Sequence, residues 1–393
     1  MEQYVNFVPK STQRMRPFQI KLPQQTLDDL QARLTNTRWP DEMSDTGWEL
    51  GTNLSYLKEL VQYWQQGFDW RKQEKMLNQF AHFRTEVDGF GLHFIHERGK
   101  GENPMPLLLS HGWPDSFYRF YKLIPLLTDP AAHGGRAEDT FDVVVPSLPG
   151  YGFSDKLSKT GGYTGWTANL FQKLMTQLGY PRFAAHGGDV GSGITEALAM
   201  NHADSLTGIH LLDVPYWHLF AISPDDLSEV EKKYLETGQQ WQMQEGAYAM
   251  IQATKPQTLA YGLNDSPTGL AAWMLEKFQS WSDSGGNIEN RFTKDELLTN
   301  IMLYWATETV RSSFTPYFDE DEKSPPKPGK INVPTGVSIF PKDIVPAPRE
   351  FAERFYDLQH WVEMPSGGHF AALEEPELLA EDLRAFFRPL REK

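Results

Sequence analysis

The chain has no cysteine among its 393 residues. Disulfides, thiolate nucleophiles and zinc–cysteine sites are therefore excluded. Long apolar runs are missing too. Nothing approaches the ~20 apolar residues of a membrane-spanning helix, and the opening stretch MEQYVNFVPKSTQRMRPFQIKLPQQTLDDL holds no run resembling a signal sequence. Positive charge is scarce: Lys+Arg number 37 against 52 Asp+Glu, a formal charge of −15. A nucleic-acid partner would demand the opposite balance. No internal repeat is visible, and 323–330 is the one low-complexity tract. The expectation is a soluble, cytoplasmic protein with a small-molecule partner, no nucleic acid and no membrane span. A homodimer is compatible with it.

What is present is length and aromatic weight. At about 150 residues per domain, two or three units are expected. Aromatic residues make up 13%, with 12 Trp, enough for a large packed core or, if they fall in a lid, an apolar pocket wall.

The hydrophobic period divides the chain. Up to residue 82 it is mostly helical: Thr26 with Asp29 is a capping signal ahead of Leu27, Leu30 and Leu34, and Leu57, Val61 and Trp64 repeat the spacing. FRTEV and LHFIHE then flank Asp88-Gly89, a hairpin signal. PLLLSHG, DVVVPSL, RFAAHGG and GIHLLDV are nearly continuous apolar runs, as parallel strands buried on both faces require. Between them a helix over 164–178 carries Leu170, Leu174 and Leu178 and stops at Gly179. From 217 to 328 strands vanish and helices are expected over 227–236, 239–252, 267–281 (Ser266 as cap, Pro267 first) and 294–312. SPPKPGK closes this block. Strands return at VPTGVSIF and HWVEMP, and a last helix opens at Pro376 with Leu379, Leu383 and Phe386 on one face. The plan is an α/β fold with a mostly parallel sheet: a helical wrapping segment (1–82), a core in two parts (83–216 and 329–393) and a helical lid between them (217–328).

Gly187-Gly188-Asp189-Val190-Gly191 follows one apolar strand and precedes the helical GSGITEALAM. That is the setting of a nucleophile elbow, a strained strand-to-helix turn, with Asp where such turns usually carry Ser. A carboxylate is ionised at neutral pH without help. It can displace a leaving group at saturated carbon, giving an ester that must then be hydrolysed. The base expected for that second step is His369, in Ser366-Gly367-Gly368-His369-Phe370 between the last strand and the final helix, where the histidine of an α/β-hydrolase falls. Its orienting acid is expected to be Asp343 in FPKD, 26 residues earlier, with Asp213 at the end of GIHLLD as the alternative. His111-Gly112-Trp113-Pro114 offers an oxyanion hole, the Trp113 and Val190 N–H groups facing the developing charge. A serine esterase is disfavoured because Ser192 lies three residues past the elbow position.

HGWP, PSLPGYGFS (146–154), GGDVGS, FPKD and GGHFAALEEPELLA (367–380) together resemble the epoxide hydrolases of the α/β-hydrolase superfamily, particularly the microsomal and fungal branch. PFQIKLPQQTLDDLQARLTNTRWPDE (17–42) resembles that branch's N-terminal domain. Two departures stand out: Val190 where many members have Trp, and no N-terminal membrane anchor. The resemblance implies two lid tyrosines that hold and protonate the epoxide oxygen, and by motif these are Tyr248 and Tyr317, with Tyr151, Tyr261 and Tyr304 as substitutes. It implies no metal and no organic cofactor. The expected product is a vicinal diol, released from an Asp189 ester by water that His369 activates. Trp217, Trp241, Trp273 and Phe278 point to an apolar substrate or to packing of the lid. Detoxification, aromatic hydrocarbon catabolism, hormone turnover and biosynthesis all remain open as roles. The rivals are a haloalkane or haloacid dehalogenase with the same Asp–His–acid set, and a non-catalytic binder.

Overall fold

Apolar runs with no polar face form strands here because helices and neighbouring strands cover them on every side. The computed structural model describes residues 15–391 apart from 159–160, 216–217, 220–221 and 320–328. Trp217 and most of SPPKPGK lie outside the described residues. The N-terminal part holds a two-residue strand β1 (Arg16–Pro17) and helices α1 (Gln24–Thr35), α2 (Leu54–Gln66) and α3 (Trp70–Leu77). Strands β2 (His82–Val87) and β3 (Phe90–Glu97) form the expected hairpin. Its turn residues Asp88 and Gly89 have φ of 52° and 82°, the backbone a two-residue hairpin needs.

The rest of the core alternates strand and helix: β4 (Met105–Ser110), α4 (Leu123–Thr128), β5 (Phe141–Pro146), α5 (Tyr163–Gln177), β6 (Phe183–Gly187), α6 (Val190–Asn201) and β7 (Leu206–Leu211). After the helical block come β8 (Ile331–Ile339), then, beyond the block, β9 (Tyr356–Glu363). The sheet order is β1-β2-β3-β5-β4-β6-β7-β8-β9. Pairing is parallel from β5 through β9 and antiparallel on the β1–β3 side. This is the α/β-hydrolase arrangement, and it brings the C-terminal ends of β4, β6, β7 and β8 to one edge.

Between β7 and β8 lie α7 (Glu229–Glu245), α8 (Ala247–Thr254), α9 (Pro256–Asp265), α10 (Pro267–Ser280), α11 (Lys294–Trp305), α12 (Val310–Ser313) and α13 (Thr315–Phe318). The chain ends with α14 (Arg349–Phe355), which precedes β9, then α15 (Ala371–Glu374) and α16 (Pro376–Phe387). Ser266 caps α10 through the Gly269 N–H, as expected. Leu379, Leu383 and Phe386 of α16 are buried, as expected.

Four local expectations differ. Thr26 and Asp29 do not cap α1: the helix starts two residues before Thr26, after Pro23, whose φ of −57° already suits helix entry. Asp29 pairs with Arg33 instead, at 2.7 Å. No break falls near 237; a capping box between Ser228 and Glu231 starts α7, buried Gly238 is carried through it, and the break comes at Gly246. Helix α9, opened by Pro256, was not anticipated. The helix expected over 294–312 stops at Trp305, and Glu308 turns the chain with φ 55°. No helix among the described residues is long and apolar enough to cross a membrane.

Candidate active site

Strand β6 delivers Asp189 to the edge of the sheet and α6 carries the chain away from it. Asp189 has φ 57° and ψ −130°, a region costly for any residue with a Cβ and held only by its surroundings. Those surroundings are glycines. A Cβ on Gly187 would lie 2.1 Å from the Gly191 carbonyl oxygen, and one on Gly191 2.1 Å from that of Ser110. The turn therefore closes only around small residues, and it leaves the Asp189 side chain 14% exposed.

The two carboxylate oxygens of Asp189 have different neighbours. Oδ1 accepts the Trp113 N–H at 2.8 Å, and the Val190 N–H also bonds this carboxylate. Gly112 makes that approach feasible, since a Cβ there would sit 2.1 Å from Oδ1. Oδ2 faces His369 Nε2 at 3.5 Å. Burial opposes ionisation of Asp189, yet the hydrogen bond and charge of His369 and the two amides outweigh it and hold the carboxyl below its usual range. His111, the first residue of HGWP, is satisfied internally. Its Nε2 accepts the Leu148 N–H at 3.1 Å and its Nδ1 lies 3.0 Å from the Gly112 oxygen, and burial pushes it down to about 4. It is a neutral strut.

Asp343, just after β8, bonds His369 Nδ1 through Oδ1 at 2.7 Å. Asp213, after β7, turns to the elbow instead: its Oδ1 accepts the Asp189 N–H at 3.2 Å and the Ser192 hydroxyl. The geometry thus separates the two contenders and occupies Ser192. Burial and the Asp343 charge push Asp213 up to about 7. For His369 burial works the other way, but the charge and hydrogen bonds of Asp343 and Asp189 prevail and push it up to about 10. Its charged form is thereby favoured between the two carboxylates.

Tyr248 of α8 and Tyr317 of α13 meet above this group, ring centroids 5.9 Å apart, with their hydroxyls hydrogen-bonded. Trp113 stacks on Tyr248 at 5.2 Å with planes 12° apart. Burial raises both phenols, and the Asp189 charge raises them further. The substitutes are engaged elsewhere: the Tyr151 hydroxyl donates to the Ser313 oxygen at 2.8 Å, that of Tyr304 to the Asp115 oxygen at 2.5 Å, and Tyr261 is 71% exposed. Of the lid aromatics, Trp241 stands 6.4 Å from Tyr248. Phe278 stacks on Phe370 at 4.1 Å, fastening lid to core, and Trp273 donates to Gln252 within the lid.

Two parts of the site were missed. Arg119 donates to the His369 carbonyl oxygen at 2.6 Å and to Asp115, whose other oxygen accepts the Gly112 N–H at 3.0 Å. This buried pair ties the HGWP turn to the histidine loop. The i,i+4 spacing of Asp115 and Arg119 was readable in HGWPDSFYRF, but their burial was not. Trp281 accepts the His369 N–H on its carbonyl oxygen at 2.8 Å and sets its ring 5.3 Å from the imidazole. Among the described residues no group of three or more His, Cys, Asp or Glu could hold a metal ion.

Residues 15–120 match the family described as epoxide hydrolase N terminus, and 105–285 match the alpha/beta hydrolase fold. A protein of Stigmatella aurantiaca named "Putative epoxide hydrolase" is 47% identical over 96% of this chain and 86% of its own. Epoxide hydrolase 1 of Sus scrofa is 39% identical, over 96% and 90%. The solved structure of Aspergillus niger epoxide hydrolase superposes with a TM-score of 0.83 at 31% identity, covering 96% of this chain and 97% of that one.

Proposed function

The chain belongs to the epoxide hydrolases of the α/β-hydrolase fold, enzymes that hydrolyse an epoxide ether bond, and from that premise we propose that it works through a covalent ester on Asp189. The observation that carries this reading is the division of the Asp189 carboxylate: Oδ1 held by the Trp113 N–H and Oδ2 toward His369. Oδ2 is then the attacking atom. It forms a bond to an epoxide carbon while the C–O bond opens, and the departing oxygen takes a proton from the tyrosine pair. A strained ether leaves poorly without that proton.

Esterification removes one of the two negative charges beside His369. The imidazolium loses the support of Asp189, releases its proton through solvent to restore the phenol, and becomes a base. Neutral His369, oriented by Asp343, then takes a proton from water as that water attacks the Asp189 ester carbon. Charge gathers on Oδ1, where the Trp113 amide already points, with the Val190 amide bonded to the same carboxyl. As the adduct collapses, the Cγ–Oδ2 bond breaks, Oδ2 takes the proton held by His369 and the diol leaves with Oδ2 in it. The new Asp189 carboxyl then gives its proton back to His369, which restores the starting state.

The tyrosines sit among Trp113, Trp241 and Trp281, which favours a small apolar epoxide. Val190, half-buried beside the nucleophile, leaves a smaller wall than an aromatic residue would. We keep the division into wrapping segment, two-part core and lid as part of this proposal, with the lid carrying the proton donors. A panel of terminal epoxides and alkyl halides tests the reading: diol from epoxides is expected, and halide release without diol formation would replace it with a dehalogenase.

A further inference from the structure

Lys277 is a buried ammonium that the steps above leave without a role. It lies in α10, 3% exposed, with Nζ 4.6 Å from the centroid of the Tyr248 ring and 5.5 Å from that of Trp281. Its ion partner is Glu276 at 2.5 Å, and a Glu245 oxygen lies 4.0 Å away at the end of α7. Burying an ammonium in a lid helix is expensive, and an apolar residue of similar length would fill the space more cheaply. The charge sits on the face of the phenol ring instead of beside its hydroxyl.

A cation on that face is attracted by the ring electrons, and more strongly as the phenol gives up its proton and negative charge spreads into the ring. The attraction therefore grows during ring opening, the condition for accelerating a step instead of merely binding substrate. The charges of Asp189, Glu276 and Glu245 oppose ionisation of Tyr248, and the Lys277 ammonium on its ring is set against them. Tyr317 helps from the other side, because its hydrogen bond favours a charged Tyr248, whereas the same bond disfavours a charged Tyr317.

We infer that Lys277 is a positioning residue acting through Tyr248: it makes Tyr248 the phenol that yields its proton to the opening epoxide, while Tyr317 holds the same oxygen by a hydrogen bond. The step balances as above, with the Tyr248 proton passing to the oxygen as its C–O bond breaks and the bond to Asp189 Oδ2 forms. The inference rests on the tyrosine reading.

The experiment measures the rate of ester formation, by rapid quench and mass spectrometry, over terminal epoxides graded from alkyl to trifluoromethyl substituents, so that the leaving alkoxide becomes steadily less basic. Lys277→Met is expected to slow ester formation about tenfold for the alkyl epoxides, the scale of a desolvated cation–π contact, and progressively less along the series. Hydrolysis of the ester should be unchanged, and Lys277→Arg should restore the rate. Glu276→Gln with Lys277→Met removes both buried charges, guards against misfolding, and should show the same grading. Equal slowing of every epoxide, no slowing, or failure of arginine to rescue would overturn the inference. Tyr248→Phe separates the two claims. If it forms ester at the normal rate, the tyrosine reading falls and Lys277 with it; if it is slow while Lys277→Met is not, the Lys277 inference alone falls.

Discussion

The Trp113 N–H stands 2.8 Å from Asp189 Oδ1, so a single amide serves the proposed nucleophile in every state it passes through. It helps keep the carboxylate ionised, and in the proposed cycle it donates to the carbonyl oxygen of the ester and meets the full charge when water adds. With Oδ1 held by that amide, the proposal leaves the other oxygen for attack and makes the face toward His369 the reactive face.

Gly112→Ala tests that cradle. The new Cβ would lie 2.1 Å from Oδ1 and 2.4 Å from the Asp189 Cβ, so the nucleophile must move. Turnover should fall on the order of 10²–10³-fold, the scale of losing an oxyanion donor, with little change in melting temperature. A variant that retains wild-type kcat would remove the cradle from the account.

His369→Gln should separate the two chemical steps. Esterification does not need the base, so the protein should gain the mass of one epoxide in a rapid burst and then stall, with steady-state turnover down by roughly 10²–10⁴-fold. Intact-mass spectrometry after mixing with excess epoxide reads this directly. Absence of an adduct, together with lost turnover, would count against a covalent first step.

Asp343 and Asp213 should behave differently. Asp343→Asn takes the charged partner from His369 and should slow ester hydrolysis on the order of 10⁴-fold while ester still forms, as for other triad carboxylates. Asp213→Asn keeps an acceptor for the Asp189 N–H and should keep most activity. Its signature is in stability: burial and the Asp343 charge push the folded group up to about 7 from an ordinary 3.8, so its contribution is fully present below about 3.8 and lost as pH rises through about 7. The melting temperature of Asp213→Asn relative to wild type should therefore climb by a few degrees between pH 5 and pH 8. A gap that stays constant with pH would contradict the assignment.

Tyr248→Phe should slow ester formation by about 10²-fold or more, within the range of general acids, Tyr317→Phe should slow it less, and the double variant should form no measurable ester. Losses that simply multiply would show two independent donors instead of a hydrogen-bonded pair. Single-turnover rates on one epoxide decide this.

The elbow, the loop histidine and the HGWP turn could be read from the chain because each combines a chemical residue with glycines that the backbone demands. The strands were equally plain, their runs too apolar to face water. Asp343 is the favoured acid by its place after the strand VPTGVSIF, but Asp213 also ends a strand that reaches the same edge, and it is the turn after β8 that aims a carboxylate at His369. The lid helices were misjudged at Gly238, Pro256 and Glu308, where packing and entry geometry outweigh local breaker signals. Arg119 and Lys277 were invisible for one reason: a charged residue reads as solvated surface until its burial is known.

The central claim is that Asp189 Oδ2 becomes an oxygen of the product. Enzyme labelled with ¹⁸O at Asp189, by repeated turnover in ¹⁸O-water and then exchange into ordinary water, is mixed in excess with epoxide for one turnover and the diol is analysed by mass spectrometry. The account predicts ¹⁸O in the diol; a diol carrying only solvent oxygen would mean that water attacks the epoxide directly and that Asp189 forms no ester.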